Sequence, residues 1–132
     1  MPSLLSLPYV GFSDAADPVY AVSRAELLSA ANPYFFEGSE GSGIGSPHTP
    51  EGYIWPMAVS LQAITSVNDT EIMSCLATLK NSARGTGLMH ESFDKDDAAQ
   101  YTRPWFAWAN SIFGELIIKL ANEKPYLILS DA

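Results

Sequence analysis

The chain has 132 residues, enough for one domain of ordinary size and no more. Its 7 Lys and Arg against 15 Asp and Glu give a net charge of −8. This balance argues against nucleic acid or an anionic membrane surface as the main partner, because basic side chains bind both. The composition, 47% hydrophobic and 11% aromatic, is that of a chain that folds around a core.

The cysteine count and the first residues exclude further classes. Cys75 is the one cysteine, which excludes an intrachain disulfide framework and a thiolate metal cluster. Residues 1–10 have no basic region and are interrupted by Pro2 and Pro8, so they do not resemble a signal peptide. No apolar run approaches the roughly 18 residues that span a bilayer. The compartment stays open.

The first half of the chain predicts two helices. Asp17 and Pro18 form a favourable helix start, and the apolar spacing that follows predicts a helix over residues 17–31. Residues 53–66 are apolar at nearly every position, which predicts a helix that is buried on most sides.

The second half also predicts two helices. Asn68 and Glu71 have the spacing of a capping box, and apolar side chains recur behind them at helical spacing up to Leu79. This pattern predicts an amphipathic helix that ends before Gly85. Pro104 begins a last, mostly apolar helix that extends to about Glu123.

Two long loops, residues 32–52 and 85–103, separate these helices. The first is rich in glycine, and loops of this length are typical of functional sites. No segment alternates with the period of a strand, so we predict an all-α protein of about four helices with two long functional loops. Buried helices that alternate with one-sided helices favour two helical layers, as in part of a toroid.

Two segments resemble ligand-binding loops but do not meet the requirements. The glycine-rich residues 38–45 lack the Lys and Ser or Thr of a P-loop, and no predicted strand precedes them. The acidic residues 94–97 lack the glycine and the twelfth-position glutamate of an EF-hand. We therefore expect neither a phosphate nor a calcium site there.

Glu91 is the carboxylate that the sequence singles out. It lies among apolar neighbours in a loop between two helices, as either a paired structural charge or an acid/base group. His48 and His90 share no metal-ligand spacing, so each is either a core residue or a binding residue. Glu115 has Lys119 four residues later, which favours an ordinary polar stripe on a helix.

Aromatic residues flank both loops. Most large aromatic side chains belong to a core. Aromatic faces beside carboxylates and amides also suit a sugar ring, so carbohydrate is the ligand class that we expect. The residues in question are Tyr34, Phe35, Phe36, Tyr53, Trp55, Tyr101, Trp105, Phe106 and Trp108.

Five segments together resemble the C-terminal part of glycoside hydrolase family 125. The resemblance covers essentially the whole chain, and its motifs are long and specific. The segments are PSLLSLPY (2–9), NPYFFEG (32–38), GIGSPHTPEGYIWPM (43–57), GTGLMHESF (85–93) and WFAWAN (105–110).

The resemblance implies an exo-acting α-1,6-mannosidase that inverts the anomeric centre, needs no metal or other cofactor, and acts on a mannose-containing oligosaccharide or glycan. It implies an (α/α)6 barrel, a six-hairpin toroid, of which residues 1–132 form a C-terminal portion of the catalytic domain. Glu91 is then the general base, and the general acid lies upstream, outside this fragment. We expect sugar contacts, from their places in the loops, at His48, Tyr53, Trp55, His90 and Trp108.

A second hypothesis makes the chain an inactive helical fragment. Without the general acid, it would bind glycan weakly or associate with other chains through the apolar faces that an incomplete ring exposes.

Overall fold

The computed structural model describes residues 3–129. These residues form a short 3₁₀ helix at Leu4–Ser6, five α-helices and five short strands. In chain order they are α1 (Pro18–Leu27), β1 (Phe35–Gly38), β2 (Gly41–Ile44), β3 (Tyr53–Ile54), α2 (Pro56–Ile64), α3 (Asp69–Ser82), β4 (Ser92–Asp94), β5 (Tyr101–Thr102), α4 (Ala107–Glu123) and α5 (Tyr126–Leu129).

Helix α1 begins where the sequence predicts. The Asp17 side chain accepts hydrogen bonds from the backbone N–H groups of Val19 and Tyr20, and Pro18 occupies the first turn. The buried Tyr20 hydroxyl donates to the Leu5 carbonyl at 2.8 Å, which ties α1 to the 3₁₀ helix. The helix ends at Leu27, four residues before the predicted end.

Helix α2 forms the centre of the core, as its apolar sequence predicts. It packs against both α3 and α4, and residues 56–61 are all buried. The two flanking helices turn only one side each toward it, through Ile72, Cys75 and Leu79 of α3 and through Ala109, Ile112, Leu116 and Leu120 of α4. No helix within residues 3–129 is both long enough and apolar enough to cross a bilayer.

Helix α3 has half of the predicted capping box. The Asn68 side chain accepts a hydrogen bond from the Glu71 backbone N–H at 3.1 Å. The Glu71 carboxylate instead accepts from Arg24 of α1 and from Gln62 of α2, each at 2.9 Å. Burial raises the pKa of Glu71, but hydrogen bonds from Ser66, Gln62 and Arg24 outweigh burial and hold that pKa below its usual value. The carboxylate thus joins three helices.

The prediction of an all-α protein is wrong, because all five strands pair. Strands β1 and β2 form an antiparallel hairpin in which Phe35 faces Ile44. Strand β4 lies between β3 and β5 in a three-stranded antiparallel sheet, with Phe93 opposite both Ile54 and Tyr101. The chain is therefore mixed α and β. That residues 1–132 form part of an (α/α)6 barrel stays a prediction.

Four of the five strands lie in the two loops predicted between helices, whereas β3 occupies the first two residues of the helix predicted over 53–66, so that helix begins only at Pro56. With two to four residues each, the strands are too short to show the alternation that marks a strand in sequence. Strand β2 also consists largely of glycine and serine, which have low strand propensity.

Candidate active site

Glu91 lies immediately before the central strand of the three-stranded sheet. Its backbone N–H donates to the carbonyls of both Thr102 and Arg103, each at 3.2 Å. One residue later, the Ser92 and Thr102 hydroxyls share a hydrogen bond of 2.6 Å. The backbone of Glu91 is therefore fixed to the chain that leaves β5, and its side chain is only 16% exposed.

The Glu91 carboxylate faces a single basic side chain within residues 3–129. The Nε atom of Arg103 lies 3.4 Å from Glu91 Oε2. The Arg103 guanidinium also lies over the ring of Phe106, 5.8 Å from its centroid. The carboxylate is thus a paired charge, and it is held beside a cation that is itself mostly exposed.

His90 is a fully buried part of the same loop. Its ring stacks on Tyr101 with centroids 3.9 Å apart and an interplanar angle of 9°. Its Nδ1 lies 2.6 Å from the Pro104 carbonyl, which can only accept, so Nδ1 donates this hydrogen bond. Nε2 is buried and has no hydrogen-bond partner within the described part of the chain. One nitrogen of the residue that precedes Glu91 is therefore without a partner there.

The Asn110 side chain of α4 is hydrogen-bonded to the loop that contains Glu91. Its side-chain oxygen accepts from the Met89 N–H at 3.0 Å, and its amide nitrogen donates to the Met89 carbonyl at 2.9 Å. The same nitrogen donates to the Phe106 carbonyl at 2.8 Å. Residues 89–92 and 101–106 are thereby linked to each other and to the start of α4. We call these two segments the Glu91 clasp.

His48 and Trp55 lie outside the Glu91 clasp. They line a largely apolar cavity of about 320 Å³, together with Tyr34, Ile44 and Met57. His48 is exposed, and the Trp55 indole donates to the Thr49 hydroxyl at 3.3 Å. Glu91 does not line this cavity, and neither do Tyr53, His90 and Trp108. The structure therefore places Glu91 and His90 in the Glu91 clasp, His48 and Trp55 at this cavity, and the other two predicted site residues in neither.

Tyr53 and Trp108 belong neither to the Glu91 clasp nor to the lining of the cavity. Tyr53 is in β3 opposite Asp94, three residues beyond Glu91, and its side chain is partly buried. Trp108 is in the first turn of α4, two residues after Phe106, and is 45% exposed.

Glu115 does not belong to this site. It is exposed on α4 and accepts a hydrogen bond from the Tyr9 hydroxyl at 2.8 Å. That hydrogen bond raises the pKa of Tyr9. Lys119, its expected partner, pairs instead with Glu123. As predicted, Glu115 belongs to the polar outer side of the helix.

Two residues that shape the site were not predicted: Asn110, which is hydrogen-bonded to the Glu91 clasp, and Arg103, which belongs to it. Asn110 was part of a recognised motif, but nothing in its spacing indicates that it bonds Met89, 21 residues away. Arg103 has a backbone φ of +42°. The sequence does not indicate this conformation, because residues other than glycine rarely adopt it. The only available cue was the position of Arg103 directly before Pro104, at the end of a long loop.

No group of three or more His, Cys, Asp or Glu side chains within residues 3–129 is arranged to hold a metal ion. Among these residues, the one polar side-chain contact of the Glu91 carboxylate is with the Arg103 guanidinium.

A mostly buried carboxylate in a fixed loop with exposed tryptophans nearby is an arrangement suited to acid/base chemistry on a sugar. The comparisons with known proteins lead to the same class, a family of glycoside hydrolases. The chain belongs to glycoside hydrolase family 125, because the model of that family, described as metal-independent alpha-mannosidase, matches residues 1–118. The resemblance seen in the sequence is thereby confirmed.

Two relatives show how much of such a protein the chain represents. It is 52% identical over 133 residues to the meiotically up-regulated gene 157 protein of Schizosaccharomyces pombe, covering 100% of this chain and 26% of that protein. It superimposes with a TM-score of 0.89 on a metal-independent alpha mannosidase of Streptococcus pneumoniae, solved as a non-productive substrate complex with alpha-1,6-mannobiose. That match has 44% identity and covers 94% of this chain and 29% of the pneumococcal one. The chain thus spans little more than a quarter of either relative.

Proposed function

We propose that this chain is the C-terminal portion of the catalytic domain of an inverting, exo-acting α-1,6-mannosidase, with Glu91 as the general base. The observation that carries the proposal is the placement of Glu91: its side chain is 16% exposed, its carboxylate lies 3.4 Å from Arg103, and its backbone N–H is hydrogen-bonded to the chain that leaves β5. The α-1,6-mannobiose in the pneumococcal relative supports the choice of substrate.

In the proposed reaction, Glu91 removes a proton from a water molecule whose oxygen attacks the anomeric carbon. The bond from that carbon to the leaving oxygen breaks, and a second carboxyl group protonates the leaving oxygen. Inversion requires the two carboxyl groups to lie roughly 6.5–9.5 Å apart, on opposite faces of the sugar. We place the second group in the part of the family's catalytic domain that this chain does not match.

The sugar contacts are part of the same proposal. His48 and Trp55 would meet the mannoside from the wall of the apolar cavity, where an indole face can pack on a pyranose ring. Tyr53 and Trp108 would contact it from either side of the Glu91 clasp. His90 and its Nε2 are buried within residues 3–129, so the proposed contact of His90 with a sugar hydroxyl requires the Glu91 clasp to open. The ligand is a glycan that ends in mannose.

A second candidate function is a non-catalytic module that binds glycan or associates with other chains. The observation that favours it is a set of large apolar side chains that residues 3–129 leave exposed near the start of the chain. Phe12 is 76% exposed, Val19 77% and Val22 70%.

Turnover of α-1,6-mannobiose by the full-length protein distinguishes the two. We expect the wild type to release mannose, and Glu91→Gln to reduce the rate by about 10²- to 10⁴-fold, the usual contribution of a general base. Glu115→Gln is the matched control, because it removes an exposed carboxylate of the same kind from the outer side of α4. Equal loss in both variants, or full activity in Glu91→Gln, would exclude Glu91 as the base. Binding of mannobiose without hydrolysis by the wild type would favour the second candidate.

A further inference from the structure

We infer that Arg103 is a positioning residue, whose guanidinium holds the Glu91 carboxylate in the orientation that water activation needs. This inference rests on the proposed role of Glu91. Three features support it: the backbone conformation of Arg103, the two contacts of its guanidinium, and the lack of another polar partner for the carboxylate among residues 3–129.

Arg103 has a backbone conformation that its residue type disfavours. Its φ of +42° lies in the left-handed region, where the backbone of any residue other than glycine is strained. Pro104 follows it, and a proline restricts the residue before it toward extended conformations. Within residues 3–129, Arg84 alone shares a positive φ without being glycine. Arg84 follows the end of α3, where a left-handed residue is a common way to close a helix, but Arg103 closes no helix.

The strained conformation brings both the backbone and the side chain of Arg103 to Glu91. The Arg103 carbonyl accepts from the Glu91 N–H at 3.2 Å, and its Nε lies 3.4 Å from Glu91 Oε2. The face of Phe106 supports the guanidinium from another side, at 5.8 Å. The side chain is thus fixed at its charged end although 67% of it is exposed.

The carboxylate has few other constraints. Among residues 3–129, the Arg103 side chain is the one that makes a polar contact with it. A carboxylate without that contact is free to rotate about its last bond. Because a misplacement of about 1 Å can reduce a rate by about 10²-fold, the ion pair is a sufficient reason to keep arginine at a strained position.

Four substitutions in the full-length protein separate this role from a purely structural one. We expect Arg103→Gln to lower kcat for α-1,6-mannobiose by about 10- to 10²-fold while KM changes less than about threefold. Arg103→Lys keeps a cation and, since the contact is a single one, should restore kcat to within about threefold of the wild type. Arg103→Gly relieves the backbone, so it should unfold at no lower temperature than Arg103→Gln yet have an equally low kcat. Arg84→Gln is the control and should leave kcat unchanged.

The Arg103 Nε–H resonance provides a readout that does not depend on turnover. We expect it to shift in Glu91→Gln and to stay in place in Glu115→Gln. Full kcat in Arg103→Gln, while Glu91→Gln is inactive, would overturn the inference and leave the proposed function intact. Full activity in Glu91→Gln, or a wild type without hydrolysis, would overturn both. An Arg103 resonance that ignores Glu91→Gln would refute the ion pair itself.

Discussion

Replacing Asn110 by alanine should destabilise the chain by about 1.5–4.5 kcal/mol, because the Asn110 side chain is hydrogen-bonded to the Glu91 clasp. The substitution leaves the buried Met89 N–H without its partner, at a cost of about 1–3 kcal/mol. It also removes the bonds to the Met89 and Phe106 carbonyls, about 0.5–1 kcal/mol each since both carbonyls keep a backbone donor. The higher helix propensity of alanine returns about 0.5 kcal/mol.

Urea unfolding of the chain measures this loss, and hydrogen exchange at the Met89 amide locates it. Asn122→Ala is the matched control. Asn122 also lies on α4 and also donates to the carbonyl four residues earlier, at 3.0 Å, but it bonds nothing outside the helix. The control should change stability by less than about 0.5 kcal/mol. Equal effects of the two substitutions would refute the assignment of Asn110 as the link to Met89.

Two more sites give predictions with clear signs. A Cβ at Gly45 would lie 2.1 Å from the Tyr53 carbonyl, whereas one at Gly114 in α4 meets nothing within 4 Å. Gly45→Ala should therefore lower the free energy of unfolding by more than about 2 kcal/mol in the same urea assay. Gly114→Ala should raise it by up to about 1 kcal/mol. The reverse order of stability would contradict the packing. The pKa of Glu71 in the folded protein lies below the usual value of 4.5. The ion pair of Glu71 with Arg24 therefore stabilises the fold fully above pH 4.5, and this stabilisation is lost as the pH falls through the folded-state pKa. In Glu71→Gln, the free energy of unfolding should fall less steeply below about pH 4.5 than in the wild type. The same pH dependence in both proteins would contradict this.

The helices could be predicted because their signals are local. Asp17 and Asn68 both make the cap hydrogen bonds that their positions indicate. The apolar composition of α2 correctly predicts its central place. The start of α4 was placed too early, at Pro104, because residues 104–106 bond back to Met89 and His90 instead of entering the helix.

The strands could not be predicted because their pairing depends on residues far apart in sequence. Ile54 pairs with Phe93 across 39 residues, and neither has more than two strand neighbours that could show a pattern. The fold class was wrong for this reason. The family was identified correctly, since its long motifs do not depend on secondary structure.

The site was predictable only in part. Glu91 stands out as a carboxylate among apolar residues, but its partner Arg103 depends on a backbone conformation that only the fold creates. His90 was expected to contact sugar, yet the fold commits one of its nitrogens to Pro104 and one ring face to Tyr101. Whether the cavity of His48 and Trp55 and the Glu91 clasp meet one substrate stays a prediction.

Azide rescue of Glu91→Ala with α-mannosyl fluoride tests the role of Glu91 most directly. This substrate needs no general acid, and the shortened side chain leaves room for azide where the activated water would lie. If Glu91 is the base of an inverting mannosidase, the variant should be inactive alone, and azide should restore turnover with β-mannosyl azide as the product. An α-configured azide, or hydrolysis by Glu91→Ala at the wild-type rate without azide, would contradict it.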